Sequence, residues 1–156
     1  MSGASRWCVR AVLVLGASLA LAARASAAPN CTISTTSASF GPYDVFSGTA
    51  TDTTGSVTYQ CTGSAILIAI TLSKGSSTTF SPRTLTSGSD TLNYNLYRDA
   101  ARTTIWGDGT GGTQVYFNLF PPNGQNIVVT VFGRITAGQD VPAGSYADTV
   151  TAIINF

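Results

Sequence analysis

At 156 residues, with eight Lys and Arg against seven Asp, no Glu and no His, the chain carries only 10% charged residues. So thin and balanced a charge offers no basic patch for nucleic acid, and the missing histidines exclude Ser-His-Asp and Cys-His catalysis. Abundant Thr, Ser, Gly and Asn describe instead a surface kept soluble by hydroxyls and amides, as in exported β proteins.

Arg6 and Arg10 precede a run of apolar and small residues at 11–23, and Ala25, Ser26 and Ala27 follow it. A charged start, a short apolar stretch and a small-residue exit predict a cleaved secretory signal peptide over residues 1–27, cut between Ala27 and Ala28. The run is about thirteen residues against the roughly twenty needed to cross a bilayer, so no membrane span is expected in the mature form. Residues 28–156 then make a single domain. Their five cations against seven aspartates give a net charge of −2. Cleavage removes Cys8 and leaves Cys31 and Cys61, a pair that an oxidising compartment joins as a structural disulfide. Two Cys without His make a poor metal site, and no cofactor is expected.

Residues 31–40 read as a weak strand broken near Thr36. Phe40-Gly41-Pro42-Tyr43 ends it, since proline lacks the ladder donor, and this suits a sheet edge. Val57, Tyr59 and Cys61 then alternate with Ser56, Thr58 and Gln60, so one face of this strand is buried. A second inward row is Ile66, Ile68, Ile70 and Leu72, and a third is Leu92, Tyr94 and Leu96. Val115, Phe117 and Leu119 make a fourth, and the turn Pro121-Pro122-Asn123-Gly124 leads into Ile127, Val129 and Val131 as a fifth. Clusters of Gly, Ser, Thr and Asp at 75–79, 86–90 and 107–112 read as turns. No window shows helical spacing, and the chain is predicted to be all-β, in the strand-turn-strand rhythm of a sandwich.

The last row is Tyr146, Val150, Ala152, Ile154 and Phe156, apolar up to the final residue given. Pro142-Ala143-Gly144-Ser145-Tyr146 ahead of it reads as the corner whose tyrosine hydroxyl bonds back to the upstream backbone. In an immunoglobulin-like count this is the sixth strand, so the expectation is an incomplete sandwich lacking its last strand. Its open acceptor groove would run beside Val150, Ala152, Ile154 and Phe156. A strand from another chain would fill such a groove. Alternatively residues 33–40 fold over and close it in cis.

Cys31-Thr32-Ile33-Ser34, Phe40-Gly41-Pro42-Tyr43-Asp44 and Tyr59-Gln60-Cys61 resemble the opening of spore coat protein U domains. Tyr94-Asn95-Leu96-Tyr97-Arg98-Asp99-Ala100-Ala101-Arg102 with Trp106-Gly107-Asp108-Gly109 is similar to that family's central signature. Phe132-Gly133-Arg134-Ile135 and residues 141–150 are similar to its end. The family includes subunits of archaic, Csu-type chaperone-usher pili. The resemblance therefore implies a structural subunit of an extracellular fibre or coat, serving adhesion, biofilm or the spore coat. It implies a periplasmic chaperone, an outer-membrane usher and neighbouring subunits joined by strand exchange as partners, with the residues from Val150 to Phe156 also contacting the chaperone. Localisation would be the cell surface, reached through the periplasm. Only Ala28-Pro29-Asn30 precede Cys31 after the expected cut, so a tip, cap or coat role is expected ahead of a shaft role, which needs a donor segment.

Asp99 and Asp108 match a glycosidase carboxylate pair in type, but both sit where Asp commonly builds turns, and no enzyme is expected. Residues 107–112 are Gly-rich without the Lys of a phosphate loop. Trp106, Tyr97 and Tyr116 make either a sugar-stacking platform or cross-strand packing. Asn30-Cys31-Thr32 fits a glycosylation sequon whose cysteine is needed elsewhere. The rival to the subunit reading is a self-contained secreted adhesin or lectin-like binding module.

Overall fold

The computed structural model describes residues 27–156, so the signal-peptide assignment lies outside the described residues except at Ala27. Among them the strands are β1 (Asn30–Thr36), β2 (Thr51–Thr62), β3 (Leu67–Leu72), β4 (Arg83–Ser87), β5 (Asp90–Tyr97), β6 (Tyr116–Leu119), β7 (Asn126–Ile135) and β8 (Ala152–Asn155). One sheet runs β1-β2-β7-β5-β4 and the other β6-β3-β8. All of the ladders are antiparallel.

Alternation explains which face of each strand is buried. Val57, Tyr59 and Cys61 of β2, Leu92, Tyr94 and Leu96 of β5, and Val131 and Ile135 of β7 all point into the core. Ile68, Ile70 and Leu72 of β3 meet them from the smaller sheet. Burying these aliphatic and aromatic groups, each worth about 1.5–3 kcal/mol, is what holds the two layers together. β4 and β5 form a hairpin closed by Gly88 and Ser89, with Ser87 facing Asp90 and Gly88 at φ 60, a value glycine tolerates without strain. The break expected near Thr36 falls where the chain leaves β1 and crosses Gly55, whose missing Cβ leaves room for the Thr36 carbonyl.

Two expectations are corrected. The fourth row has the opposite phase: Tyr116 and Asn118 face inward, while Phe117 and Leu119 are exposed and Val115 precedes β6. The cause is partnering. Tyr116 packs edge-on to Tyr59 and beside Trp106, with ring centres 6.2 and 6.0 Å apart. The Asn118 amide donates to the Tyr59 hydroxyl at 2.6 Å, so an amide is satisfied inside and a phenylalanine is left outside. Ile66, expected to open the second inward row, lies before β3 and is exposed.

Candidate acceptor groove

β1 and β8 are both edge strands: among the described residues β1 ladders only with β2, and β8 only with β3. The two edges flank a cavity of ≈ 320 Å³. The end of β1 and the chain after it supply one wall through Thr35, Thr36 and Ala38, and Asp148, Val150 and Ala152 supply the other. Its floor is apolar, formed by Val57, Leu72, Leu85, Leu96 and Val131 from five different strands. The residues beside the opening are only half-buried, namely Ile33, Ala38, Val150, Ala152 and Ile154, although all of them pack on the core.

Of the residues expected at this groove, Val150 and Ala152 line the cavity and Ile154 packs on the core beyond it. Phe156 lies past the end of β8, 53% exposed, in a separate hollow with Pro29 and Ile66. Residues 37–40 do fold across one end: the Phe40 ring lies against Gly133 and meets Tyr94 edge-on at 5.9 Å. The cavity remains beside them.

The entry to β8 is fixed by hydrogen bonds. Tyr146 donates its hydroxyl to the Pro142 carbonyl at 2.9 Å, four residues back. Asp148 then accepts from the Tyr94 hydroxyl at 2.6 Å, from the Ser76 amide at 2.8 Å and from the Ser76 hydroxyl at 2.7 Å. Burial alone would raise the Asp148 pKa, but the bonds from Tyr94 and Ser76 outweigh it and hold the carboxyl below its ordinary value. Burial and then the bond to Asp148 push the Tyr94 phenol upward. The Asp148 carboxylate occupies the space a Cβ would need at Gly75, so only glycine fits there. At the other end, Cys31 and Cys61 face each other in the β1–β2 register and are joined as a disulfide.

The signature segment reaches the cavity through Tyr94 and Leu96 and continues into the core at Trp106. Trp106 is fully buried and donates its indole N–H to the Ile70 carbonyl at 2.9 Å. That decides Trp106 for packing and against a sugar platform, because its ring has no exposed face. Asp99 accepts from the Thr103 and Thr104 amides and the Thr103 hydroxyl, which, led by the Thr103 amide, lower its pKa to about 2. Asp108 accepts likewise from the hydroxyl and amide of Thr110, which lower its pKa in turn. Each aspartate is engaged in its own turn. Arg83 escaped sequence reasoning altogether. It is fully buried, donating to Asn95 Oδ1 at 2.8 Å, to the Trp106 carbonyl at 2.7 Å and to the Ser73 carbonyl at 2.9 and 3.1 Å. Burial lowers its pKa. No local pattern marks an arginine whose acceptors lie on three other segments.

Two antiparallel layers, apolar between and open from β1 to β8, define an incomplete immunoglobulin-like sandwich. The chain belongs to the Spore Coat Protein U domain family, whose model matches residues 17–153. It is 37% identical over 130 residues to Protein U of Myxococcus xanthus, covering 75% of this chain and 70% of that protein. Among solved structures it is similar to the CsuC-CsuE chaperone-tip adhesion subunit pre-assembly complex from archaic chaperone-usher Csu pili of Acinetobacter baumannii. There the TM-score is 0.59 at 21% identity, over 83% of this chain and 40% of that one, so it spans less than half of that chain's length. A second similar structure, the E. coli Hda pilus minor tip subunit HdaB, has a TM-score of 0.43 at 12% identity, over 79% of each chain.

Proposed function

We propose that this chain is a structural subunit of an extracellular fibre or coat, and that the groove between β1 and β8 accepts a strand from another chain. The observation that carries the reading is the unladdered edge of β8 beside a half-buried apolar row and a cavity of ≈ 320 Å³. A row of free backbone groups next to apolar side chains favours an extended segment, whose ladder bonds give affinity and whose alternate side chains fill the floor. Membership in the Spore Coat Protein U domain family and the fold shared with a chaperone-bound pilus subunit support a periplasmic chaperone as first occupant and a neighbouring subunit as second. Export through the periplasm and an outer-membrane usher, with delivery to the cell surface as a tip, cap or coat component, complete the proposal. So does removal of residues 1–27 to leave a single domain at 28–156.

The test is to export the full chain to a periplasm, purify it, and melt it with and without a synthetic peptide of alternating apolar residues. A large rise in melting temperature, with aggregates resolving to a defined species, supports strand acceptance. Melting indifferent to the peptide sinks it. It would favour the self-contained binding module, in which Ala38 and Phe40 close the sandwich in cis.

A further inference from the structure

The outer faces of the two sheets differ in chemistry. On the five-stranded sheet, Thr32, Ser34, Thr130 and the Asp52–Arg134 pair, bonded at 2.7 and 2.8 Å, point to solvent, and Val128 is an isolated apolar residue. On the three-stranded sheet most outward positions are apolar, with Thr71 and Asn155 the polar exceptions. Leu67 stands directly opposite Leu119, Phe117 opposite Ala69, and Ile153 opposite Thr71. Leu67, Phe117, Leu119 and Ile153 are 42%, 58%, 64% and 51% exposed. Ile66 and Phe156, 66% and 53% exposed, border the patch around a hollow they share with Leu67 and Ala69.

Taking about 150–250 Å² for a whole aromatic side chain and somewhat less for an aliphatic one, the exposed apolar area is on the order of 500 Å². That lies in the upper half of the roughly 300–600 Å² of the largest patch on a typical monomer, and two such faces together reach the roughly 1,000 Å² that a specific interface should clear. No charged residue occurs in β3, β6 or β8. With no Lys, Arg or Asp in these strands, two copies of the face meet there without like-charge repulsion. Its relief carries both a hollow and a projection. Pro29, Ile66, Ala69 and Phe156 line a hollow of ≈ 550 Å³, and the exposed Phe117 ring stands beside it on the strand next to Ala69.

We propose that the outer face of the β6-β3-β8 sheet is an isologous docking surface for a second copy of this chain. A two-fold operation sets the Phe117 ring of each copy toward the hollow of the other, as a closed dimer requires. The surface is separate from the groove: Ile153 points outward where Ala152 and Ile154 point inward.

The experiment is sedimentation equilibrium of the exported full-length chain, with the alternating apolar peptide present to occupy the groove. A reversible dimer with micromolar dissociation constant is expected. The Phe117→Ser/Leu119→Ser variant should weaken it about tenfold or more, while Val128→Ser leaves it unchanged. As a second readout, Leu119→Cys should give cross-linked dimer with a short bismaleimide and Val128→Cys should not, which does not depend on the double variant folding. A chain that stays monomeric to millimolar concentration overturns the proposal. So does a monomer that floats with phosphatidylcholine vesicles through Phe117, or a dimer seen only in protein retaining its leader. If the peptide leaves melting unchanged, the groove reading fails by itself, and the dimer is still read on the unfilled chain.

Discussion

The two sides of the core are built from the same kind of sequence and reach different ends. Where β2 and β7 face β3, alternating residues vanish from solvent, with Val57, Ile68 and Ile70 at 1%, 0% and 0% exposure. Where β1 faces β8, the equally apolar Ile33, Val150, Ala152 and Ile154 stay half-buried. The difference is one of neighbours and not of pattern. Among the described residues β1 and β8 each ladder with one strand, and no strand lies beyond them to cover the inward row they share. Stability is therefore concentrated on the closed side, and the open side is where a further strand adds burial.

The largest probe of this contrast is Trp106→Ala on the closed side. It removes a fully buried indole and strands the Ile70 carbonyl, and should cost about 3–5 kcal/mol in urea unfolding whether or not the groove is filled. Next comes the Cys31→Ser/Cys61→Ser pair, which opens a loop with a sequence separation of 30. It should cost about 3.5 kcal/mol on loop entropy, seen as a lowered denaturant midpoint. A sharper comparison is Ile154→Ala against Ile70→Ala. In the empty chain the half-buried Ile154 should cost about 1 kcal/mol and the buried Ile70 about 2–5 kcal/mol, and only the Ile154 penalty should grow when the peptide is bound. Equal growth at both positions would break the distinction between the two sides.

The smallest effect is on acid stability. Asp99 has its pKa lowered from 3.8 to about 2 by its turn bonds. It therefore stabilises the fold above the unfolded value, and that contribution is lost as pH falls through about 2. Asp99→Asn should flatten the drop in melting temperature between pH 4 and pH 2 while changing little at neutral pH.

Much of the closed side was legible in sequence because Val57, Tyr59, Cys61, Leu92, Tyr94 and Leu96 alternate strictly with polar residues. The corner at Tyr146 was legible as well, since its bond to Pro142 is local. The rest depended on partners far along the chain. Hydropathy alone chose the wrong phase for β6, because Tyr116 and Asn118 belong inside only once Tyr59 and Trp106 are there to receive them. β4 was not anticipated, since Leu85 is its sole aliphatic residue and Arg83 is buried only through the acceptors around it. The groove's position was expected beside the last strand. Its floor was not, because Val57, Leu72, Leu85, Leu96 and Val131 come together from strands spread over the chain.

The Cys31–Cys61 disulfide also decides how the chain bears tension. A pull applied ahead of Cys31 passes through the sulfur bridge into the end of β2, a strand paired on both sides, and bypasses everything between the two cysteines. β1 and the crossing segment that walls the groove thus carry no load, and the stretched contour is shorter by roughly 100 Å at about 3.3–3.6 Å per residue. Hauled by its amino end, the molecule keeps one wall of its groove in place until the core itself gives way.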